Sequence, residues 1–359
     1  MRVLQVLPDP YRATGGILVH VKSISERLAK KHDVTVYATN RGLKLPRYEL
    51  RNGVKVERFN CYAPGDAYYL SPEMLVRLRK ARFDVVHAHG YHAFPFHFSA
   101  EAKCEKFIAT PHFHGQGHST FRDSLIRLLK PAGKRTLSKA KRIIAVSEYE
   151  RNLIGSQFKF NLDKVEVIPN GVDFEEFSNL KKRNRGFRSI LYVGYLAEYK
   201  GPQYLIEVMR KLRDDVILEI VGHGPLRPWL ENRARTLNVS ERVRFYDFLS
   251  RQDLVQKYAD ADIFCLLSNH EAYSIVVAEA LTAGTPCIVA RSSALTEWVD
   301  SETCFGIALP INLNKLADLI NYLLNNPTNT HDTRKWRGTK ILSWDDVTRR
   351  VEAVYESKI

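Results

Sequence analysis

Short β-branched runs alternate with helix-length amphipathic segments along almost the whole chain, and this rhythm leaves few folds open. Val3–Leu7 reads as a strand, Ile17–Lys30 as a helix and Val34–Thr39 as the next strand. Val85–His89, Phe107–Thr110, Arg142–Val146 and Val165–Ile168 continue the strand series. A repeat of this kind predicts a parallel sheet with helices on both faces. Pro169-Asn170-Gly171 is a strong turn signal, and after it the rhythm starts again. Strands are expected at Ser189–Val193, Ile217–Val221, Val243–Phe245, Ile263–Leu267 and Cys287–Ala290, with helices at Gln203–Leu212, Leu226–Leu237, Asp253–Ala259 and Ile275–Ala283. A length of 359 residues suits two cores rather than one. The reading is α/β, with two Rossmann-like domains over 1–171 and 172–341.

Composition excludes several alternatives. Hydrophobic residues make up 45% and charged residues 26%, the balance of a globular chain. No apolar run approaches the ~20 residues that span a bilayer. The opening MRVLQVLPDP lacks the long apolar region of a signal peptide, so a cytoplasmic protein is expected. Five cysteines, Cys61, Cys104, Cys265, Cys287 and Cys304, are scattered without C-x-x-C spacing, which argues against a disulfide framework or a zinc site. The net charge of +14 is uneven: residues 1–180 carry 29 Lys+Arg against 18 Asp+Glu, net +11, and the remainder 25 against 22, net +3. Attraction for anions is concentrated in the first half.

The segment 268–286 carries the most chemistry. The strand Ile263–Leu267 ends just before it, Ser274 is placed to cap a short apolar helix, and Gly284 to stop it. Such a helix starts at the carboxyl edge of a parallel sheet, where open α/β folds bind ligands. Its free N–H groups and dipole favour a phosphate. Glu279 lies one to two turns inside the helix on an apolar stretch, and a buried carboxylate needs a partner. A ribose diol would serve; so would a structural arginine. Glu271 at the helix mouth can accept hydrogen bonds from sugar hydroxyls, or it is a solvated loop residue. Spacing alone leaves both pairs of readings open.

Glu271 and Glu279 resemble the E-x7-E signature of family 4 glycosyltransferases, and the likeness extends over nearly the whole chain. Gly15-Gly16 matches the paired glycines between first strand and first helix. Asp84-Val-Val-His-Ala-His-Gly90, Thr110-Pro-His112, Ala145-Val-Ser-Glu148 and Val167-Ile-Pro-Asn-Gly-Val-Asp173 follow in the family's order. Gly194 to Gly201 with Lys200, Val221-Gly-His-Gly-Pro225 and Gly284-Thr-Pro286 complete the set. Each motif is weak alone; in this order they are specific. The resemblance implies a GT-B fold, with two parallel sheets facing across a cleft. It also implies that the closing segment 342–359, from Ser343-Trp-Asp-Asp-Val onward, returns to the first domain.

The implied activity is metal-independent, cofactor-free, retaining transfer from a nucleotide-sugar donor, by front-face attack with no covalent nucleophile. Lys200 supplies positive charge to the donor diphosphate, and Glu271 and His112 contact the donor sugar. Glu279 takes the ribose. Gly15, Gly16, Gly194, Gly222, Tyr273, Ser274 and Ile275 complete the donor contacts. His114 and His118 fall in an acceptor loop. Two departures stand out. Tyr195 occupies the position where the family has an arginine, and a phenol does not replace a guanidinium's charge. Ala272 and Ser274 replace two glycines, so Cβ atoms line the phosphate approach. Asp260-Ala-Asp262 superficially resembles a metal-binding D-x-D, but it reads as a helix-to-strand junction.

Basic residues cluster at 122–142: Arg122, Arg127, Lys130, Lys134, Arg135, Lys139, Lys141 and Arg142, interleaved with leucines. Pro131 is expected to divide this segment into two short helices. It is either a solvated face or a docking surface for anionic lipid, as in family members that act on lipid-linked or glycan acceptors at membranes. Nucleic acid is excluded by the lack of an aromatic stacking pattern. A GT-B sugar-nucleotide epimerase or phosphorylase, and a non-catalytic basic binding protein, are the alternatives to a transferase.

Overall fold

The computed structural model describes residues 1–11, 15–64, 68–115, 120–326, 336 and 338–357, with backbone alone for 120–128. The chain divides into two compact units, 1–171 with 342–359, and 172–341.

In the first unit the elements run β1 (Arg2–Val6), α1 (Gly16–Leu28), β2 (Asp33–Thr39), β3 (Tyr48–Arg51), β4 (Val54–Phe59), α2 (Pro72–Lys80), β5 (Arg82–His89), α3 (Phe94–Phe98), β6 (Lys103–Thr110), α4 (Thr120–Lys139), β7 (Arg142–Ala145), α5 (Glu148–Phe158) and β8 (Val165–Val167). The strands form one sheet in the order β3-β4-β2-β1-β5-β6-β7-β8. β1 pairs in parallel with both β2 and β5, so its apolar run is buried on both faces.

Two features differ from the sequence reading. The sheet is not wholly parallel: β3 pairs antiparallel with β4, and Asn52 and Gly53 between them have φ of +47° and +81°. An Asn-Gly pair tolerates the positive φ that a tight hairpin requires, and it was the available signal. Pro131 also does not split the basic segment; α4 is one helix with the proline inside it. Continuity is favoured by packing: Leu137 is buried, and Gly133 lies so close to the Tyr91 ring that a Cβ there would collide with it.

The second unit holds β10 (Arg188–Val193), α6 (Pro202–Val208), β11 (Val216–Val221), α7 (Arg227–Thr236), β12 (Val243–Tyr246), α8 (Arg251–Asp260), β13 (Ile263–Leu266), α9 (Ile275–Thr282), β14 (Cys287–Ala290), β15 (Cys304–Ile307) and α10 (Leu313–Asn325); the two-residue β9 (Gly171–Val172) marks the boundary. Six parallel strands run β12-β11-β10-β13-β14-β15. Asp260 and Asp262 are taken up by ion pairs with Arg183 at 2.5 Å and Lys182 at 2.7 Å. None of the described helices is long and apolar enough to cross a membrane.

The last helix, α11 (Trp344–Glu356), belongs to the first unit. It lies along α1, where Arg27 meets Asp345 at 2.7 Å and His32 meets Glu352 at 2.9 Å. Its buried Tyr355 hydroxyl joins the Gln5 amide at 3.0 Å and His87 Nδ1 at 2.7 Å beneath the sheet. Tyr355→Phe strands both partners, so stability falls by about 1–3 kcal/mol. Urea unfolding measures this; an unchanged midpoint would show that the phenol network does not hold α11 down.

Candidate functional site

In the second unit the strand order reverses between β10 and β13, because the chain builds outward through β11 and β12 and then returns to the other side. Loops leaving a reversal point diverge and open a crevice at the carboxyl ends of the strands. Lys200 stands on the loop after β10, and Glu271 on the loop after β13. The two loops are stitched by the Asn269 N–H, which donates to the Tyr199 carbonyl at 2.8 Å. Lys200 Nζ meets Glu271 Oε1 at 2.5 Å, with both side chains largely buried. Burial pushes the Lys200 ammonium down, and the adjacent Glu271 carboxylate more than reverses this, leaving it raised.

α9 begins at the same place. Ser274 stands at its N-cap, but the capping hydrogen bond expected from the sequence is absent. A capping serine needs an extended backbone, and Ser274 has φ of +81°, in the left-handed region. Its Oγ is buried without a partner, and the first N–H groups of α9 receive no side-chain cap. Tyr273 and Ile275 are buried; the Tyr273 hydroxyl donates to the Lys340 carbonyl at 2.7 Å, so this side chain serves packing and leaves only its backbone for a ligand.

Glu279 is paired with Arg251 at 2.6 Å, the arginine partner that spacing left as one of two readings. Arg251 also holds Glu176 at 2.6 Å. Burial pushes the Glu279 carboxyl up, and Arg251 offsets only part of this. Gly194 and Gly222 end the neighbouring strands β10 and β11, where a Cβ on Gly222 would collide with the Gly194 carbonyl. Tyr195 is 42% exposed and sits edge-on to His223 at 5.7 Å, which in turn lies 5.1 Å from the exposed Phe248.

The first unit shows a second group, at the reversal between β1 and β5. Gly15 has φ of +154°, which suits glycine, and a Cβ on Gly15 or Gly16 would meet no heavy atom of the described residues within 4 Å. His112, just past β6, is buried with φ of +49°. It lies edge-on to His20 at 5.1 Å and stacked on His89 at 5.8 Å. Sequence reasoning missed His20 and His89; the signals were a histidine on the apolar face of α1 and one at the carboxyl end of β5. His118 lies outside the described residues, as do the side chains of the basic segment before 129.

His20, His89 and His112 bring ring nitrogens within 4.8 Å of one another. His20 Nδ1 bonds Asn170 at 2.7 Å and His89 Nε2 bonds Gln5 at 2.8 Å, while His20 Nε2, His89 Nδ1 and His112 Nε2 have no partner among the described residues. Burial holds His20 down to about 4, and His89 and His112 well below the usual imidazole range. Neutral imidazoles of this kind can hold a metal ion; they suit uncharged hydroxyl groups equally, since a hydroxyl both donates and accepts.

A model of Glycosyltransferase Family 4 matches residues 14–176, and one of glycosyl transferases group 1 matches residues 173–338. An uncharacterized glycosyltransferase of Methanocaldococcus jannaschii is 29% identical over an alignment covering 97% of this chain and 95% of that protein. Sucrose-phosphate synthase from Thermosynechococcus elongatus superposes with a TM-score of 0.81 at 19% identity, over 99% of this chain and 98% of that one. Anabaena HepE, solved in complex with UDP-glucose, superposes with a TM-score of 0.79 at 17% identity over the full length of both.

The buried histidines set an acid limit. His20 titrates at about 4 when folded and near 6.5 when unfolded, so between these values only the unfolded state takes up its proton. Stability from this group is present above about 6.5 and falls by about 3 kcal/mol as pH drops to about 4. Urea unfolding across that window should show the loss, with a shallower slope in His20→Gln; equal slopes would mean that His20 is not the titrating group.

Proposed function

The chain belongs to glycosyltransferase family 4 and has the GT-B fold of two Rossmann-like units, and we propose that it is a retaining, metal-independent transferase that moves a hexosyl group from a nucleotide-sugar to an acceptor hydroxyl. The observation that carries this reading is the Lys200–Glu271 contact beside the uncapped start of α9, at the reversal point of the second sheet. Cation, helix amides and carboxylate are the three elements that a sugar diphosphate needs.

In this reading the second unit takes the donor. Lys200 and the α9 amides receive the diphosphate and stabilise the charge that develops as it leaves, the task a metal performs elsewhere. Ser274 adds its unpartnered hydroxyl, and Tyr273 and Ile275 contribute backbone N–H groups. Glu271 accepts from the sugar hydroxyls. Glu279, oriented by Arg251, accepts from the ribose. Gly194 and Gly222 keep the strand ends low enough for the nucleotide to lie across them. The first unit takes the acceptor, a glycan or lipid-linked sugar, and its Gly15-Gly16 loop and His112 reach the reacting sugar of the donor. The acceptor hydroxyl attacks on the face from which the phosphate departs, and the phosphate takes its proton. HepE was solved with UDP-glucose, which makes UDP-glucose the first donor to test.

UDP-glucose should raise the melting temperature of the wild type. Lys200→Ala should abolish that rise, and Glu271→Gln should lower kcat on the order of 100-fold with the fold intact. Transfer at wild-type rates by either variant contradicts the assignment, as does isolation of a covalent glycosyl-enzyme. The exposed Lys130, Lys134 and Lys141 suit a peripheral contact with anionic lipid. Flotation with anionic vesicles should then occur at low salt and be lost at high salt; failure to float at low salt removes the membrane contact.

A further inference from the structure

His112 holds φ of +49°, a left-handed backbone conformation that is unfavourable for any residue with a Cβ. Such strain persists only where the surroundings over-determine it. On one side the Pro111 carbonyl accepts the Tyr91 N–H at 2.7 Å. On the other, Phe113 donates its N–H to Glu150 Oε1 at 2.5 Å, and its ring is wedged against Tyr91 at 4.7 Å and Phe158 at 5.5 Å. The second Glu150 oxygen accepts the Val146 N–H at 2.7 Å. One carboxylate therefore ties the loop after β6 to the turn after β7, both at the carboxyl edge of the sheet.

Helix capping does not account for this arrangement. The Ser147 hydroxyl already caps α5 by accepting the Glu150 N–H at 3.0 Å. A glutamate at the third helical position ordinarily reaches back to the amide of the cap residue; Glu150 reaches past it, to Val146 and Phe113. The group is fully buried. Burial pushes its carboxyl up to about 8, and the two backbone N–H groups pull the other way. A packed apolar side chain would avoid that desolvation but leave the Phe113 and Val146 N–H groups unpaired, so the carboxylate is kept for the two amides it bridges.

We propose that Glu150 is the positioning residue of His112: its carboxylate clamps the Phe113 amide and so holds His112 in the left-handed conformation that keeps its ring beside His20 and His89. The clamp stands on geometry alone; its kinetic consequence rests on the reading of His112 as a group at the reacting sugar.

Four measurements test it. Backbone carbon chemical shifts or a crystal structure of Glu150→Gln should show His112 leaving positive φ. Ser147→Ala, which removes the α5 cap and spares the carboxylate, should lower the melting temperature and leave His112 where it is. On a His112→Gly background, where positive φ carries no strain, Glu150→Gln should cost more stability than in the wild type, because no strain is released when the clamp is lost. In UDP-glucose turnover, Glu150→Gln should lower kcat on the order of 100-fold, and the double variant with His112→Ala should be no slower than His112→Ala alone. Positive φ retained in Glu150→Gln, equal stability losses on both backgrounds, or multiplying kinetic effects would each overturn the clamp. If no form turns over UDP-glucose, the donor reading has failed, and the first and third measurements still decide the clamp.

Discussion

Parallel pairing of β10 with β13 is the constraint on which the Lys200–Glu271 arrangement depends. The strands contribute little chemistry themselves. Their pairing aligns the loops that follow them, and because the chain runs away from β10 on one side and returns on the other, these two loops have no strand between them. Lys200 and Glu271 are thereby brought to 2.5 Å. The same reversal between β1 and β5 puts the Gly15 loop beside the end of β5, where His89 sits. Each unit thus gathers its loops at one edge, because parallel strands place every following loop at one end.

Two departures from relaxed structure stand at these edges. Deep in the second sheet, the buried Glu219 is paired with Arg185 at 2.6 Å and with Lys257. In the first, the buried Arg58 is satisfied by Glu49 at 2.5 Å and by the Pro10 and Pro46 carbonyls. Both of these buried charges are matched, as desolvation requires. At the edges, His112 and Ser274 combine positive φ with an unpartnered buried polar atom. An unmade hydrogen bond and a strained backbone both cost stability, and a folded chain tolerates them where a ligand completes the set. Ser274 sharpens the contrast with the family pattern: a glycine would adopt its conformation freely, and the serine accepts strain in return for a hydroxyl. It stands on the same sheet edge as Tyr195, where the family's arginine is missing.

Much of the fold was legible because it is written in local periodicity. The two βα series, their restart near Pro169-Asn170-Gly171 and the apolar helix after Glu271 all follow from runs of adjacent residues. The errors fell where a local rule met a tertiary contact. Pro131 should break a helix by propensity, yet α4 continues because Gly133 and Leu137 pack against the body of the unit. Ser274 has the residue type of a cap, but its φ is set by how the loop from β13 enters α9. The β3–β4 hairpin was announced by Asn52-Gly53 and missed because the surrounding rhythm was parallel.

By itself, the sequence determined the class of fold and the order of its motifs, since hydrophobic period and turn chemistry act over a few residues. It also supplied the residue types at the proposed site. Only the tertiary structure decided who meets whom. Glu279 admitted either a ribose or an arginine on spacing, and the fold brought Arg251 to it at 2.6 Å from 28 positions away. Lys200 and Glu271 are 71 positions apart, and nothing in either segment encodes the other. Glu150 reaches an amide 37 positions earlier. Such contacts are set by strand order, which emerges from the packing of the whole sheet, and no local pattern carries that information.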